Sequence, residues 1–337
     1  MSSESKRRPT HRDIAEIAKV HRTTVSLALK GHPNISRETC ARIKRIAEEI
    51  GYMPDPMLSA LAAYRSQNRP TAFQGNLAWL VKNIPPFKWD DMIYHDYYVA
   101  AKDQAKTHGY GLEVFDLQEA GLSSNRLGQI LRSRNIQGIF VCPLPEDKME
   151  IVFPWEHFSV ITFGFSLVNP RLHTVAAAHF DSTRLIINKL RAKGHTHIGM
   201  MSVHDSRLNN DLLAGYFSES FVHDKEIKIP PLHLSETSNE HIQAWYDKYK
   251  PSAIIGPPDL DERLAETSLP IEDVLLICAY LPRTDWPLGG VHEDTEQIGR
   301  VAADLLVSMI QHGERGVPSS PRRTLIEGKW VPESRRS

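Results

Sequence analysis

Arg22, Thr23 and Leu27 stand on one side of the stretch HRTTVSLALKG, residues 21–31. Those three residue types suit the edge of a base pair. An arginine donates two hydrogen bonds to a guanine edge, a threonine hydrogen-bonds or touches a thymine methyl, and a leucine offers only apolar contact to such a methyl. Thr24, Ser26 and Ser36 are short donors of the kind that meet phosphates, as are His32 and Asn34 in the following loop. Val25, Ala28 and Leu29 fall on the opposite side, where a helix would turn them into a small core. The same spacing also suits a plain bundle with an ordinary polar face.

The flanking elements must position these residues. Thr10-His-Arg-Asp13 reads as a helix start, with a hydroxyl for the cap and an acid at the positive end. Ile14, Ala15, Ile17 and Ala18 follow at helical spacing, and Lys19-Val20 breaks the pattern for a tight turn. The second helix spans His21 to Lys30 and stops at Gly31. Ser36 caps a third, whose stripe is Ile43, Ile46, Ala47 and Ile50 and whose end is Gly51. Three short helices in such close order make helix-turn-helix geometry, in which the second helix enters the major groove. Charge agrees. Residues 1–69 hold 13 lysines and arginines against 7 acids, a net of +6, while the remainder holds 27 against 34, a net of −7. A basic head on an acidic body suits a polyanion, although a solvated basic tail gives the same balance.

The segment RDIAEIAKVHRTTVSLALKGHPNISRETCARIKRIAEEIGYMPD resembles the DNA-binding head of the LacI/GalR family of bacterial repressors. It keeps Asp13, Ala15, Ala18, Val20, Thr24, Val25, Ser26, Leu29, Asn34, Ser36, Thr39, Gly51, Tyr52 and Pro54 in register. The departures are His21 for the usual serine, Lys30 for the usual asparagine, and Leu27 where many members carry an arginine. The resemblance implies that Arg22, Thr23 and Leu27 read bases, with Leu27 shifting the preferred operator. Asp55-Pro56 starts another short helix, marginal on its own. The resemblance makes it a hinge helix that places Leu61 in the minor groove. A plain linker helix is the alternative that its own residues leave open. Asp55 and Leu58-Ser59 stand where the family has an asparagine and an alanine-arginine pair. Residues 65–75 are polar with proline and glycine, a domain boundary.

From residue 76 short apolar runs alternate with amphipathic stretches: strands near 76–81, 112–117, 138–143, 160–165, 197–202, 253–256 and 274–280, and helices near 95–108, 124–134, 182–193, 209–222 and 294–312. Repeated βα units of this kind give parallel sheets covered on both faces. The expected fold class is therefore an all-α helix-turn-helix domain followed by an α/β body with parallel sheets, which the resemblance makes a two-lobed periplasmic-binding-protein-like (type I) body. The expected organisation is residues 1–53 as the DNA-binding domain, 54–75 as hinge and linker, and 76–337 as the effector-binding and dimerisation body. One lobe takes about 76–165 and 290–318, the other about 168–288 and 322–337, with crossings near 165–170, 288–292 and 317–323.

Family blocks continue in LRAKGHTHIGMMS and LLAGY. Three groups with which the family commonly holds effectors are replaced here: Leu212 stands for an arginine, Leu281 for an aspartate, and Pro258-Asp259 for an asparagine-aspartate pair. Loops at the carboxyl edge of parallel strands still line a cleft. They offer Lys88, Trp89 and Asp90 on one side and His204, Asp205, Arg207, Asp259 and Tyr280 on the other.

Other chemistries find little support. The sequence has no G-x-S-x-G, P-loop or G-x-G-x-x-G. His195 and His197 alternate into a strand and so face opposite ways, and His292-Glu-Asp294 has no ligand partner nearby. No catalytic residue, metal site or cofactor is expected. Three cysteines, an odd number far apart, argue against a disulfide framework. The N-terminus lacks the apolar run of a secretory signal and no span of about 18 apolar residues occurs, so a cytoplasmic protein is expected. The expected partners are a pseudo-palindromic duplex operator, a second copy of the chain and a small-molecule effector of unknown identity, with no membrane. The alternatives are a DNA-binding regulator without a small-molecule response, or a cytosolic solute-binding protein.

Overall fold

In a computed structural model the chain is described over residues 9–29, 35–52, 73–82, 93–118, 122–143, 149–202, 207–224, 228–234 and 237–333. The head has three helices, α1 (His11–Ala18), α2 (Arg22–Leu29) and α3 (Arg37–Glu49). Thr10 precedes α1, and its backbone N–H and hydroxyl both donate to Asp13 Oδ2, at 2.6 and 2.7 Å. The acid thus folds back over the helix start, where negative charge is favoured. Lys19 takes a left-handed φ of +51°, which reverses the chain between α1 and α2. Ser36 Oγ accepts from the Thr39 N–H at 3.2 Å, and Gly51 closes α3 at φ +69°. Ile14, Ala15, Ala18, Val25, Ala28, Ile43 and Ala47 form the buried core. Ile17, which the helical spacing grouped with them, is instead 54% exposed.

The body contains two six-stranded sheets. The first joins β1 (Gly75–Val81), β2 (Tyr110–Asp116), β3 (Gly138–Val141), β5 (Ser159–Phe163), β7 (His173–Ala177) and β13 (Arg323–Ile326), in the order β13-β7-β5-β3-β1-β2 and parallel throughout. The second joins β8 (Ile198–Ser202), β9 (Leu232–His233), β10 (Ala253–Gly256), β11 (Leu275–Leu281), β12 (Gly289–His292) and β14 (Lys329–Val331), in the order β14-β12-β11-β10-β8-β9. Only β14 runs antiparallel to its neighbour. A side ribbon pairs β4 (Met149–Glu150) with β6 (Leu167–Asn169).

Strand side chains divide by the two-residue period. Leu77, Trp79 and Val81 of β1 enter the core beneath α4 (Ile93–Thr107) and α10 (Thr295–His312). Ala78 and Leu80 enter the opposite core with Leu127 and Leu131 of α5 (Ser124–Ser133). In the second sheet Met200, Ile255 and Ile277 pack with α6 (His179–Ala192) and α7 (Arg207–Asp224), while Met201, Ile254 and Leu276 pack against α8 (Asn239–Tyr249) and α9 (Leu260–Ala265). Burial on both faces is what a parallel sheet requires.

The strand pairing corrects the expected lobe boundaries. Residues 173–177 and 323–326, assigned to the second lobe, are strands of the first sheet. Residues 290–292, assigned to the first lobe, lie in the second sheet, and only the following helix α10 returns to the first. The chain therefore changes sheets near 178, near 293–294 and near 327–328, later than 165–170, 288–292 and 317–323. The sequence break after residue 165 has a local cause. Gly164 turns at φ +61° and the chain makes the excursion through β6 before returning as β7. Strand β13 is short, at the sheet edge, with Arg323 and Leu325 exposed.

Helices α4 and α10 approach closely at Gly299. A methyl group built there would sit 2.5 Å from the Tyr97 carbonyl oxygen and 2.7 Å from Ala100 Cβ. Backbone cannot yield as a side-chain tip can. Gly299→Ala is therefore expected to destabilise the body by roughly 1–3 kcal/mol, despite alanine's better helix propensity. Urea unfolding of the variant against the parent chain measures this.

Candidate nucleic-acid interface and interlobe site

On the head, Arg22 and Thr23 are exposed at the first turn of α2, and Thr24, Ser26 and Leu27 are half-buried. Val25 and Ala28 on the same helix are fully buried. The three expected base-reading side chains therefore share a helix whose opposite face is anchored. His21 immediately precedes the helix. Its Nδ1 accepts from the Thr23 N–H at 3.4 Å and lies 2.9 Å from Thr23 Oγ1. Ser36 is exposed, but its oxygen already serves α3 as a cap and lies 2.8 Å from Thr39 Oγ1. His11 Nε2 and Tyr52 Oη meet at 2.9 Å, tying the start of α1 to the end of α3. His32, Asn34 and Leu61 lie outside the described residues.

In the body, Lys88, Trp89, Asp90, His204 and Asp205 also lie outside the described residues. Arg207 opens α7, bonds Asp211 at 2.9 Å, and holds its guanidinium carbon 5.7 Å from the ring centroid of Phe165. Phe165 follows β5, so this contact joins a loop of the first sheet to a helix of the second. Arg323 lies at the same distance from that ring. Asp259 accepts from Arg263 Nε at 2.7 Å. Tyr280 is the penultimate residue of β11, and burial pushes its hydroxyl up to about 12. Arg207 and Asp259 thus have separate partners, and Tyr280 is taken up by packing.

The replaced effector positions have structural employment. Leu212 and Leu281 are 1% and 0% exposed, in the two cores of the second sheet. An arginine or aspartate at either place would lie inside packed hydrocarbon. The Pro258 carbonyl accepts from Trp286 Nε1 at 3.0 Å.

A further group stands at the crossings, of which only Glu293, within His292-Glu-Asp294, stands out in the sequence. Tyr97 of α4 donates its hydroxyl to Glu293 Oε2 at 2.5 Å. Glu293 Oε1 lies 3.8 Å from His179 Nε2, too long for a hydrogen bond but close enough for charge to be felt. All three are buried. His179 Nδ1 has no hydrogen-bond partner among the described residues. Burial first, and then Glu293, hold the Tyr97 hydroxyl protonated well beyond the ordinary tyrosine range. Next to them Lys329 Nζ bonds Asp294 Oδ2 at 2.5 Å, bridging the second crossing to the third. A separation of 196 residues between Tyr97 and Glu293 leaves no local signal for this pairing.

Comparison with known proteins agrees with this geometry. Residues 10–55 match the model for bacterial regulatory proteins of the lacI family, and residues 187–333 match a periplasmic binding protein-like domain. The head thus matches the lacI family, and much of the body matches periplasmic binding protein-like domains. A curated relative, the HTH-type transcriptional regulator PtxS of Pseudomonas plecoglossicida, is 24% identical over 197 residues, 58% of this chain and 54% of that protein. The chain thus aligns with little more than half the length of this curated relative. Among solved structures, the transcriptional regulator CelR–cellobiose complex is 20% identical with a TM-score of 0.52, covering 96% of this chain and 98% of that one. The lac repressor dimer bound to operator and the anti-inducer ONPF is 16% identical, with the same TM-score and coverage. These likenesses establish the fold. Among the described residues no helix is long and apolar enough to cross a membrane, and no cluster of histidine, cysteine or acidic side chains has the make-up of a metal site.

Two outcomes follow for the body. Tyr97→Phe strips a buried carboxylate of its hydrogen-bond donor while keeping the ring, and should destabilise by roughly 1–3 kcal/mol in urea unfolding at pH 7. His292 is half-buried, and burial lowers its pKa against the opposing pull of Glu293, Asp96 and Asp294. A depressed folded-state value means that the unfolded chain binds the proton more readily. The associated stability is therefore present above the unfolded histidine value and lost as pH falls through the folded one. His292→Asn should flatten the drop in melting temperature between pH 7.5 and 5.5, measured by circular dichroism.

Proposed function

We propose that this chain is a LacI-family DNA-binding transcriptional regulator that represses by occupying a pseudo-palindromic operator as a homodimer in the cytoplasm. The observation that carries the reading is the division of α2. Arg22 and Thr23 face solvent at the helix's first turn while Val25 and Ala28 are sealed in the core. That is what a helix needs to lie in a major groove with its leading residues on base edges. Two-fold symmetry of the protein then calls for two-fold symmetry of the site. Leu61 would enter the minor groove between the two heads.

A small molecule between the lobes would bias operator affinity by binding one arrangement of the lobes better than another. The Phe165–Arg207 contact and the Tyr97–Glu293–His179 group stand where the two sheets exchange chain. Leu212 and Leu281 belong to packing, so recognition would fall to side chains other than the family's usual ones. The alternative of a regulator without a small-molecule response draws on the same two leucines.

The test is selection of bound duplexes from a random DNA pool by the full-length chain at fixed salt. An enriched palindrome supports the reading, and failure of the folded chain to enrich any sequence overturns it. On the enriched duplex Arg22→Ala should weaken binding by roughly 1–3 kcal/mol and leave affinity for random DNA nearly unchanged. Fluorescence anisotropy with both duplexes measures the difference.

A further inference from the structure

We infer that His21 sets the hydrogen-bonding polarity of Thr23, and so determines which base Thr23 selects; the inference rests on the DNA-binding reading above. The argument is one of proton bookkeeping. The Thr23 backbone N–H can only donate, and it points at His21 Nδ1. Nδ1 is therefore a bare lone pair, and the imidazole proton sits on Nε2. Thr23 Oγ1 lies 2.9 Å from the same nitrogen. Since Nδ1 has no proton to give, the hydroxyl must be the donor of that bond.

A free threonine hydroxyl is ambivalent, because it rotates to donate or to accept. Here its one proton is committed to His21, so toward the groove Thr23 presents lone pairs and a methyl group. Adenine N6 and cytosine N4 are donors and match those lone pairs, whereas guanine shows only the acceptors O6 and N7 on its major-groove edge. Thr23, which by residue type suits either kind of partner, becomes an acceptor that rejects guanine. His21 acts as a positioning residue. It also caps α2, which places the N–H that fixes its own tautomer.

The test is selection from a random duplex pool with the full-length parent chain and the variants His21→Ala, His21→Asn and Thr23→Ala, all checked for folding by circular dichroism. The position altered by Thr23→Ala is the one Thr23 reads. There the parent should favour adenine or cytosine over guanine by about ten-fold or more. His21→Ala frees the hydroxyl and should reduce that ratio to within about two-fold. His21→Asn places a carbonyl oxygen near the lost Nδ1, accepts from both donors, and should restore the ratio. Guanine preferred by the parent, no position altered by Thr23→Ala, or a ratio unchanged in His21→Ala would overturn the inference while leaving the regulator reading intact. No enriched motif with any folded chain would overturn both.

Discussion

A carboxylate held away from water must have its charge met, and Glu293 sits at a place where little else could meet it. It is the first of two residues between β12 of the second sheet and the long helix that roofs the first. Its partner Tyr97 belongs to the helix packed against that roof, and its other neighbour, His179, begins the helix after the first crossing. Three segments far apart in sequence therefore converge on one buried acid. The close approach of α4 and α10 at Gly299 lies beside the Tyr97 backbone. Any rearrangement of one sheet relative to the other has to keep this carboxylate satisfied or expose it.

The head depends on a different kind of constraint. Its core consists of a few alanines, isoleucines and a valine, so little apolar area supports it and local capping matters more. Asp13 over the start of α1, His21 over the start of α2 and Ser36 over the start of α3 each satisfy N–H groups that a helix leaves unpaired. Two of the three caps are ordinary residues for the task. The third is an imidazole, which adds a tautomer to what would otherwise be a neutral hydroxyl.

Legibility from sequence followed the range of the interactions. The helices of the head and most central strands showed in local periodicity and caps, because contacts over three or four residues fix them. Thr10, Ser36 and Gly51 marked helix ends that the structure places within a residue. What local pattern could not supply was the membership of strands in sheets. HTVAA and RTLI are short, carry small or charged residues, and acquire their place by pairing with each other across some 150 residues. Helices α8 and α9 were also passed over, since their apolar faces are narrow. In the site, Arg207, Asp259 and Tyr280 were picked out for their chemistry, but each is occupied by a nearer partner or by packing. Glu293 shows in the sequence only as an acid without a partner, and Tyr97 and His179 not at all, because nothing near any one of them announces the other two.

The edge position of β13 carries a consequence for synthesis. The first sheet begins at residue 75 and is finished only when residues 323–326 pair with β7. A chain leaving the ribosome at about 5–20 residues per second must wait many seconds with that edge uncovered. The head has no such dependence, since its core is closed once residues up to 52 have emerged. Nascent chains thus carry a finished head well before a finished body.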